Sequence, residues 1–212
     1  MTPQLLIFDL DGTLIDSRAD LATAVNLMRR HFTLPPLPLD TITAFVGNGV
    51  RALVTRALQG TGVDVDEAMR VQGPLYRAHL VDETVLYPGV FDILHRLHQA
   101  GHRLAIATNK PVDACEVILT HFRIRPLFDK VLGGGSTPNL KPHPGAVETI
   151  MAGTGFGAAD TWMIGDNDTD LECARRAGAR SVFCAFGIGD RRAETPTVTI
   201  QTFDELAGLF PA

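Results

Sequence analysis

Lysine is scarce in this sequence: of 19 basic residues only three are lysines, and none of them precedes Lys110. The basic residues do not cluster into a stripe, and with 24 acidic residues the formal net charge is −5. A chain with this charge pattern is not expected to take nucleic acid or an anionic membrane as its partner. Because lysine is so rare here, a lysine that falls inside a motif is a candidate for function rather than a surface residue.

Cysteine and long apolar runs are lacking as well. The three cysteines, Cys115, Cys173 and Cys184, do not have the spacing of a metal site, which favours a reduced, cytoplasmic setting. No segment has the roughly 18 apolar residues that a membrane-spanning helix needs, and the N-terminus does not resemble a signal peptide. We therefore expect a soluble, cytoplasmic protein.

The apolar pattern divides the chain into an alternating part and a purely helical part. Leu5–Phe8 is a continuous apolar run, typical of a strand buried on both faces of a parallel sheet. Residues 17–86 have helical spacing throughout and are predicted to form an inserted, all-helical cap domain. Residues 1–16 and 87–212 alternate strands with helices, which predicts an α/β core with a doubly wound, Rossmann-like parallel sheet. Within the core, residues 188–202 are predicted as a loop with one edge strand.

Polar residues follow the predicted strands, where the ligand site of such a sheet lies. Those segments are Asp9-Leu10-Asp11-Gly12-Thr13-Leu14, Thr108-Asn109-Lys110, Lys141-Pro142 and Gly165-Asp166-Asn167-Asp168-Thr169-Asp170. Two carboxylates two residues apart repel each other unless a cation lies between them. Mg²⁺ prefers carboxylate, carbonyl and water oxygens, so we expect a magnesium site with Asp9, Asp11 and Asp166 as ligands.

These residue types permit nucleophilic catalysis through an acyl phosphate. Asp9 would attack phosphorus, and Asp11 would protonate the leaving oxygen and then deprotonate the hydrolytic water. The charge of the transferring phosphoryl group would be balanced by N–H groups, a hydroxyl and an ammonium from Leu10, Gly12, Thr13, Thr108, Asn109 and Lys141. Asn167 and Asp170 are expected to support the residues that bind the metal and the phosphate rather than to bind either directly. The side chain of Lys110 is expected to be solvated or at the mouth of the site.

In order and spacing, the four motifs resemble those of the haloacid dehalogenase-like phosphatases, over nearly the whole chain. The resemblance implies a Mg²⁺-dependent phosphatase with an aspartyl-phosphate intermediate at Asp9 and with the helical segment as the cap. One departure is Asn167, where many members have serine; a small polar side chain meets the same requirement.

Within that family the sequence is most similar to the phosphoglycolate phosphatases. The similar stretches are Phe45-Val46-Gly47-Asn48-Gly49-Val50, Leu86-Tyr87-Pro88-Gly89-Val90, Ala107-Thr108-Asn109-Lys110-Pro111 and Lys141-Pro142-His143-Pro144. This likeness implies hydrolysis of a small phosphorylated metabolite, 2-phosphoglycolate, to glycolate and phosphate.

The segment Gly47-Asn48-Gly49 has two interpretations. It is either a turn at the start of a cap helix or a loop that closes over the site. In the second case its N–H groups, together with Arg51, would bind a small carboxylate on the substrate.

Other functions remain open at this point. Another capped member of the family could act on a sugar phosphate, a sugar-acid phosphate or pyrophosphate, or could be a phosphoglucomutase-like isomerase. Phosphonoacetaldehyde hydrolases use a cap lysine, which this chain lacks. A non-catalytic regulator that binds a phosphometabolite is disfavoured because both Asp9 and Asp11 are retained. The oligomeric state cannot be read from the sequence.

Overall fold

The computed structural model describes residues 2–211 of the chain. Its strands are β1 (Leu5–Phe8), β2 (Ile15–Asp16), β3 (Val85–Leu86), β4 (Arg103–Pro111), β5 (Phe128–Gly134), β6 (Thr161–Gly165), β7 (Arg180–Cys184) and β8 (Val198–Ile200). Its helices are α1 (Arg18–His31), α2 (Leu39–Thr43), α3 (Val50–Ala57), α4 (Val65–Ala78), α5 (Val90–Gln99), α6 (Val112–His121), α7 (Gly145–Thr154), α8 (Asp168–Arg176) and α9 (Leu206–Leu209). Within residues 2–211, none of these helices has both the length and the apolar character needed to cross a bilayer.

Six of the strands form one parallel sheet in the order β5-β4-β1-β6-β7-β8. The central strand β1 is fully buried, as its continuous apolar sequence predicts, and Phe8 at its end lies opposite Ile106 of β4 and Ile164 of β6. The pairing continues one residue further, since the N–H of Asp9 donates to the carbonyl of Ile164 at 2.9 Å. The predicted α/β class is confirmed, and Asp9 lies on the extension of the buried central strand β1.

Helices α1 to α4 follow one another between β2 and β3, with no strand among them. α4 packs on α1 and α3, and α1 also contacts α2. The buried guanidinium of Arg29 on α1 donates to the carbonyls of Pro35, at 2.8 Å, and Ala57, and so joins three segments of this helical part. An inserted helical part is thus present, whereas the exact domain bounds, residues 17–86 for the cap, stay a prediction.

The chain leaves and re-enters the α/β part through two short strands that pair antiparallel, β2 and β3. Next to them Asp20, 1% exposed, accepts hydrogen bonds from the N–H of Glu83 at 3.0 Å and the N–H of Thr84 at 2.9 Å. The hydroxyl of Thr84 also donates to Asp20, at 2.7 Å. One carboxylate therefore ties the first turn of α1 to the segment that follows α4.

The C-terminal part of the sheet agrees with the expected loop and single edge strand. Residues 185–197 contain no strand, and Val198–Ile200 pairs with β7 as the edge strand β8. The N–H of Ala185 donates to the carbonyl of Ile200 at 2.9 Å, which fixes the start of the loop beside the strand ends. This placement brings the loop next to the polar segments described below.

We expect Asp20→Ala to lower the free energy of unfolding by about 3 kcal/mol, because it leaves two buried N–H groups and a hydroxyl without their charged acceptor. The midpoint and slope of urea denaturation measure this change. Asp66→Ala, which removes a carboxylate that is 65% exposed, is the matched control and should cost less than about 1 kcal/mol. Equal losses of unfolding free energy for the two variants would contradict the role of Asp20 in joining the first turn of α1 to the segment that follows α4.

Candidate active site

The turn after β1 brings Asp9 and Asp11 to the carboxyl edge of the sheet. The N–H groups of Leu14 and Ile15 donate to the carbonyl of Leu10 at 3.0 and 3.1 Å, and the N–H of Gly12 donates to the carbonyl of Ile15. Gly12 has φ of +83°, and a β-carbon there would collide with the carboxylate of Asp166. Only glycine fits both the backbone conformation and the close approach.

This turn uses some of the N–H groups that were predicted to bind phosphate. The N–H of Gly12 is engaged by Ile15, and the N–H of Thr13 donates to the carbonyl of Leu10 at 3.3 Å. The hydroxyl of Thr13 donates to Asp166 at 3.2 Å. The N–H groups of Gly12 and Thr13 therefore help to shape the turn. The phosphate contacts predicted for Leu10, Gly12 and Thr13 stay predictions.

Lys141 is buried among carboxylates. Its Nζ lies 2.5 Å from Asp170 Oδ1 and 2.9 Å from Asp9 Oδ1, and it donates to the carbonyl of Ala107 at 2.6 Å. Burial opposes the charge of this ammonium, but the carboxylates of Asp170 and Asp9 outweigh burial and raise the pKa of Lys141 above its ordinary value. The ammonium is therefore charged at any physiological pH and lies beside the proposed nucleophile.

Three carboxylates, those of Asp9, Asp166 and Asp170, each offer one oxygen within 4.8 Å of the other two. Burial, together with the charges of Asp170 and Asp9, raises the pKa of Asp166 to about 8, although the N–H groups of Ile188 and Gly189 donate to it at 2.9 and 2.8 Å. The contact of Asp9 Oδ1 with Lys141 lacks hydrogen-bond geometry, so this buried oxygen has no hydrogen-bond donor among the described residues. Such a set of oxygens fits a divalent cation that prefers carboxylate ligands.

Asp11 was also predicted as a metal ligand; its carboxylate lies outside that cluster, and its role as a ligand stays a prediction. It accepts hydrogen bonds from the hydroxyl of Ser17 at 2.5 Å and from Lys110 Nζ at 2.7 Å. Asp170 takes the third place in the cluster instead, and its own oxygens are bound by Lys141 at 2.5 Å and by the N–H of Asn167 at 3.1 Å.

Lys110 was predicted to be solvated or at the mouth of the site, and this prediction is wrong. The residue is 5% exposed, and its ammonium donates to Asp11 and to the hydroxyl of Tyr76 on α4. Burial alone would lower the pKa of Lys110, but Asp11 and Tyr76 raise it above its ordinary value. Burial also raises the pKa of Tyr76 to about 12, so its hydroxyl stays protonated. The scarcity of lysine, applied to Lys110 as well as to Lys141, was a signal for this role.

Asn109 connects the strand end to two loops through its side chain. Its Nδ2 donates to the carbonyls of Gly47 at 2.9 Å and Lys141 at 3.0 Å, and its Oδ1 accepts from the N–H of Lys141 at 2.8 Å. The sequence predicted only a backbone role for this residue. Thr108, just before it, lines the same cavity as Asp9, and its contact with phosphate stays a prediction.

The cavity, of about 50 Å³, lies between the sheet edge and the helical part. Gly47 and Gly49 line it, and a β-carbon at Gly47 would lie 2.8 Å from Asn167 Nδ2. Asn48 and Arg51, which were predicted to meet the substrate, do not line it. Asn48 accepts from Arg56 at 2.7 Å, and the exposed side chain of Arg51 donates to Asp66 at 2.7 Å, because the first turn of α3 directs it toward α4 rather than toward the sheet.

Asn167 is the N-cap residue of α8 and fixes the conformation of the first turn of that helix. Its Oδ1 accepts from the N–H of Thr169 at 3.3 Å, while the carboxylate of Asp170 accepts from the N–H of Asn167. This reciprocal capping box orients Asp170 toward Lys141. The supporting roles predicted for Asn167 and Asp170 stay predictions. Residues that the sequence did not point to are Ser17, Gln72, Tyr76, Ile188 and Gly189, which reach the site from other elements.

Comparison with known proteins places this site in a family. Residues 6–184 match the family model described as haloacid dehalogenase-like hydrolase. A phosphoglycolate phosphatase of Pseudomonas putida is 38% identical over 218 aligned positions, covering 99% of this chain and 79% of that protein. A phosphoglycolate phosphatase of Psychrobacter arcticus is 38% identical, covering 99% of this chain and 95% of that protein.

A solved structure agrees with these relatives. The crystal structure of a predicted phosphoglycolate phosphatase from Haemophilus somnus superimposes with a TM-score of 0.92 at 31% identity and covers 99% of both chains. The order of strands, the carboxylate cluster at their ends and the match over most of the sequence lead to one assignment. The chain belongs to the haloacid dehalogenase-like hydrolases, and it is a phosphatase that hydrolyses phosphoesters.

Proposed function

We propose that this phosphatase hydrolyses 2-phosphoglycolate to glycolate and phosphate. The observation that carries the proposal is the small cavity in front of Asp9, whose volume of about 50 Å³ corresponds to a few water molecules. Such a space favours a short leaving group over a hexose. The relatives described as phosphoglycolate phosphatases, which cover nearly the whole chain, support the same substrate class.

Asp9 is the nucleophile in this proposal. One of its carboxylate oxygens forms a bond to phosphorus while the bond from phosphorus to the ester oxygen breaks, giving an aspartyl phosphate and glycolate. The position of Asp9 supports this role, because the strand extension holds its backbone and Lys141 lies 2.9 Å from its Oδ1. Lys141, the hydroxyl of Thr108 and the N–H of Leu10 balance the charge of the phosphoryl oxygens.

Asp11 moves the protons. It gives a proton to the ester oxygen as glycolate leaves, and it then takes a proton from the water that attacks the aspartyl phosphate and releases phosphate. Ser17 and Lys110, which both donate to its Oδ1, hold the carboxyl group in one orientation. The second carboxylate oxygen is left for the proton transfer.

Asp9 and Asp166 would hold Mg²⁺, with Asp170 beside them. Their clustered oxygens, and the Oδ1 of Asp9, which has no hydrogen-bond donor among the described residues, support this assignment. When bound, the ion supplies positive charge that offsets the carboxylates and the phosphoryl oxygens and so permits an anionic nucleophile to approach an anionic ester.

We expect Asp9→Asn to lower phosphate release by at least about 10³-fold while leaving the fold intact, because an amide cannot form the acyl phosphate. Steady-state release of phosphate from 2-phosphoglycolate measures the loss, and circular dichroism checks the fold. Asp66→Asn, a change at an exposed carboxylate of α4, is the matched control and should retain full activity. Phosphate release by Asp9→Asn at the wild-type rate would overturn the nucleophile assignment.

If Asp166 is a metal ligand, its carboxylate should destabilise the metal-free protein and at the same time be needed for the binding of Mg²⁺. The pKa of Asp166 is raised to about 8 from 3.8, so between these pH values the carboxyl is charged in the unfolded chain but protonated in the folded protein, and stability falls as the pH rises. Asp166→Asn should therefore raise the unfolding temperature of the metal-free protein at pH 8 by roughly 2–8 °C, the equivalent of about 1–2 kcal/mol. The same change should abolish the stabilisation of the wild-type protein by millimolar Mg²⁺.

Differential scanning fluorimetry with and without Mg²⁺ measures both effects. The gain from Asp166→Asn should shrink as the pH falls from 8 toward 4, since the wild-type carboxyl is then protonated in the folded state. A variant that Mg²⁺ stabilises as much as it stabilises the wild type would exclude Asp166 as a ligand.

The size of the cavity predicts the substrate preference. With Mg²⁺ present, we expect kcat/KM for 2-phosphoglycolate to exceed that for glucose 6-phosphate by about 100-fold or more, since the small cavity in front of Asp9 favours the shorter leaving group. Sugar-acid phosphates and pyrophosphate complete the panel, which is read by phosphate release. A higher kcat/KM for glucose 6-phosphate, a sugar-acid phosphate or pyrophosphate than for 2-phosphoglycolate would contradict the proposed substrate.

A further inference from the structure

Gln72 lies in the middle of α4, is 0% exposed and lines the cavity in front of Asp9. Neither its Oε1 nor its Nε2 has a hydrogen-bond partner among residues 2–211. Burying an amide without hydrogen bonds destabilises a folded protein, whereas a leucine or methionine of similar size would not carry that cost. A glutamine at this position therefore needs an explanation beyond the packing of the helices.

The wall around Gln72 is otherwise apolar or already engaged. Val46, Val50 and Leu53 also line the cavity and offer no polar side chain. Tyr76, the other residue that α4 contributes, accepts a hydrogen bond from Lys110 through its hydroxyl. Of the two residues of α4 that line the cavity, Gln72 is thus the one whose polar side-chain atoms have no hydrogen-bond partner among the described residues.

The position of Gln72 relative to the proposed chemistry follows from the contacts of Tyr76. Tyr76 binds Lys110, and Lys110 binds Asp11, which is proposed to protonate the leaving oxygen. Gln72 precedes Tyr76 by one helical turn, so the two side chains lie on the same face of α4, with their β-carbons about 5–6 Å apart. Both residues line the cavity, so Gln72 lies on the same face of α4 as the tyrosine that contacts Lys110 and, through Lys110, the residue that is proposed to protonate the leaving oxygen.

We propose that Gln72 selects the leaving group by donating a hydrogen bond from Nε2 to its carboxylate. This inference rests on the proposed function, because it assigns the far end of 2-phosphoglycolate to this residue. A carboxylate only accepts hydrogen bonds, and the amide nitrogen has two N–H groups to donate. A leaving group without an acceptor at that end would leave the amide of Gln72 unpaired, and the site would bind its transition state less well.

Two variants and three esters of similar length test the assignment. Gln72→Leu removes the amide, and Gln72→Glu replaces it with a carboxylate of nearly the same shape. The esters are 2-phosphoglycolate, with an anionic end, ethyl phosphate, with an apolar end, and O-phosphoethanolamine, with a cationic end. The readout is kcat/KM for phosphate release in the presence of Mg²⁺, and Gln59→Leu and Gln59→Glu, at an exposed position after α3, are the matched controls.

For Gln72→Leu we expect kcat/KM on 2-phosphoglycolate to fall by about 10- to 100-fold, the effect of losing a hydrogen bond to a charged group, while kcat/KM on ethyl phosphate changes by less than about 3-fold. For Gln72→Glu the loss on 2-phosphoglycolate should be larger, because like charges would meet, and the preference should move toward O-phosphoethanolamine. Gln72→Leu should also raise the unfolding temperature, since it removes an unpaired buried amide.

The outcomes separate this inference from the proposed function. If the wild-type enzyme does not hydrolyse 2-phosphoglycolate in preference to the other panel members, the proposed function fails. If the wild type does so but Gln72→Leu leaves both esters unchanged, or slows both equally, the role of Gln72 in selection is overturned. A lower unfolding temperature for Gln72→Leu would assign the residue to packing and would likewise overturn the proposal.

Discussion

At the carboxyl edge of the sheet, Lys141 is held between Asp9 and Asp170 with almost no access to solvent. The ammonium keeps two carboxylates close together in a buried place where they would otherwise repel each other. Each of the three groups depends on the others, since removing one partner of a buried ion pair leaves the remaining charge uncompensated. The turn after β1, the loop before α7 and the first turn of α8 meet at this contact, so the charge balance there fixes the relative placement of three separate motifs.

A second buried ammonium extends this order into the helical part. Lys110 comes from the same strand end as Thr108 and Asn109, yet it reaches Asp11 on one side and Tyr76 on the other. The contact with Tyr76 joins α4 to the residue that is proposed to transfer protons. Asn109 makes a second contact of this kind, because its side chain binds the carbonyl of Gly47. The helical part is therefore joined to the sheet edge at two places, Tyr76 and Gly47.

The sequence predicted what depends on local pattern. The buried run Leu5–Phe8 and the alternation of strands with helices were enough for the fold class and for the edge at which the polar residues meet. Partners far apart in the chain were harder to predict: Lys110 pairs with Asp11 across 99 positions, and nothing in the residues around either one signals the other. Ser17 and Asp20 lie only three residues apart, yet the side chain of Ser17 binds Asp11 and that of Asp20 binds the segment after α4.

Two of the three lysines are committed to buried ion pairs, which leaves Lys130, on β5, as the lysine outside the site. The remaining side-chain cations are guanidinium groups, which do not react with the esters and anhydrides that acylate amines. Among the lysine side chains of the folded enzyme, such reagents would therefore acylate Lys130 alone. Acylation of Lys110 or Lys141 would indicate that the buried ion pairs at the sheet edge have broken.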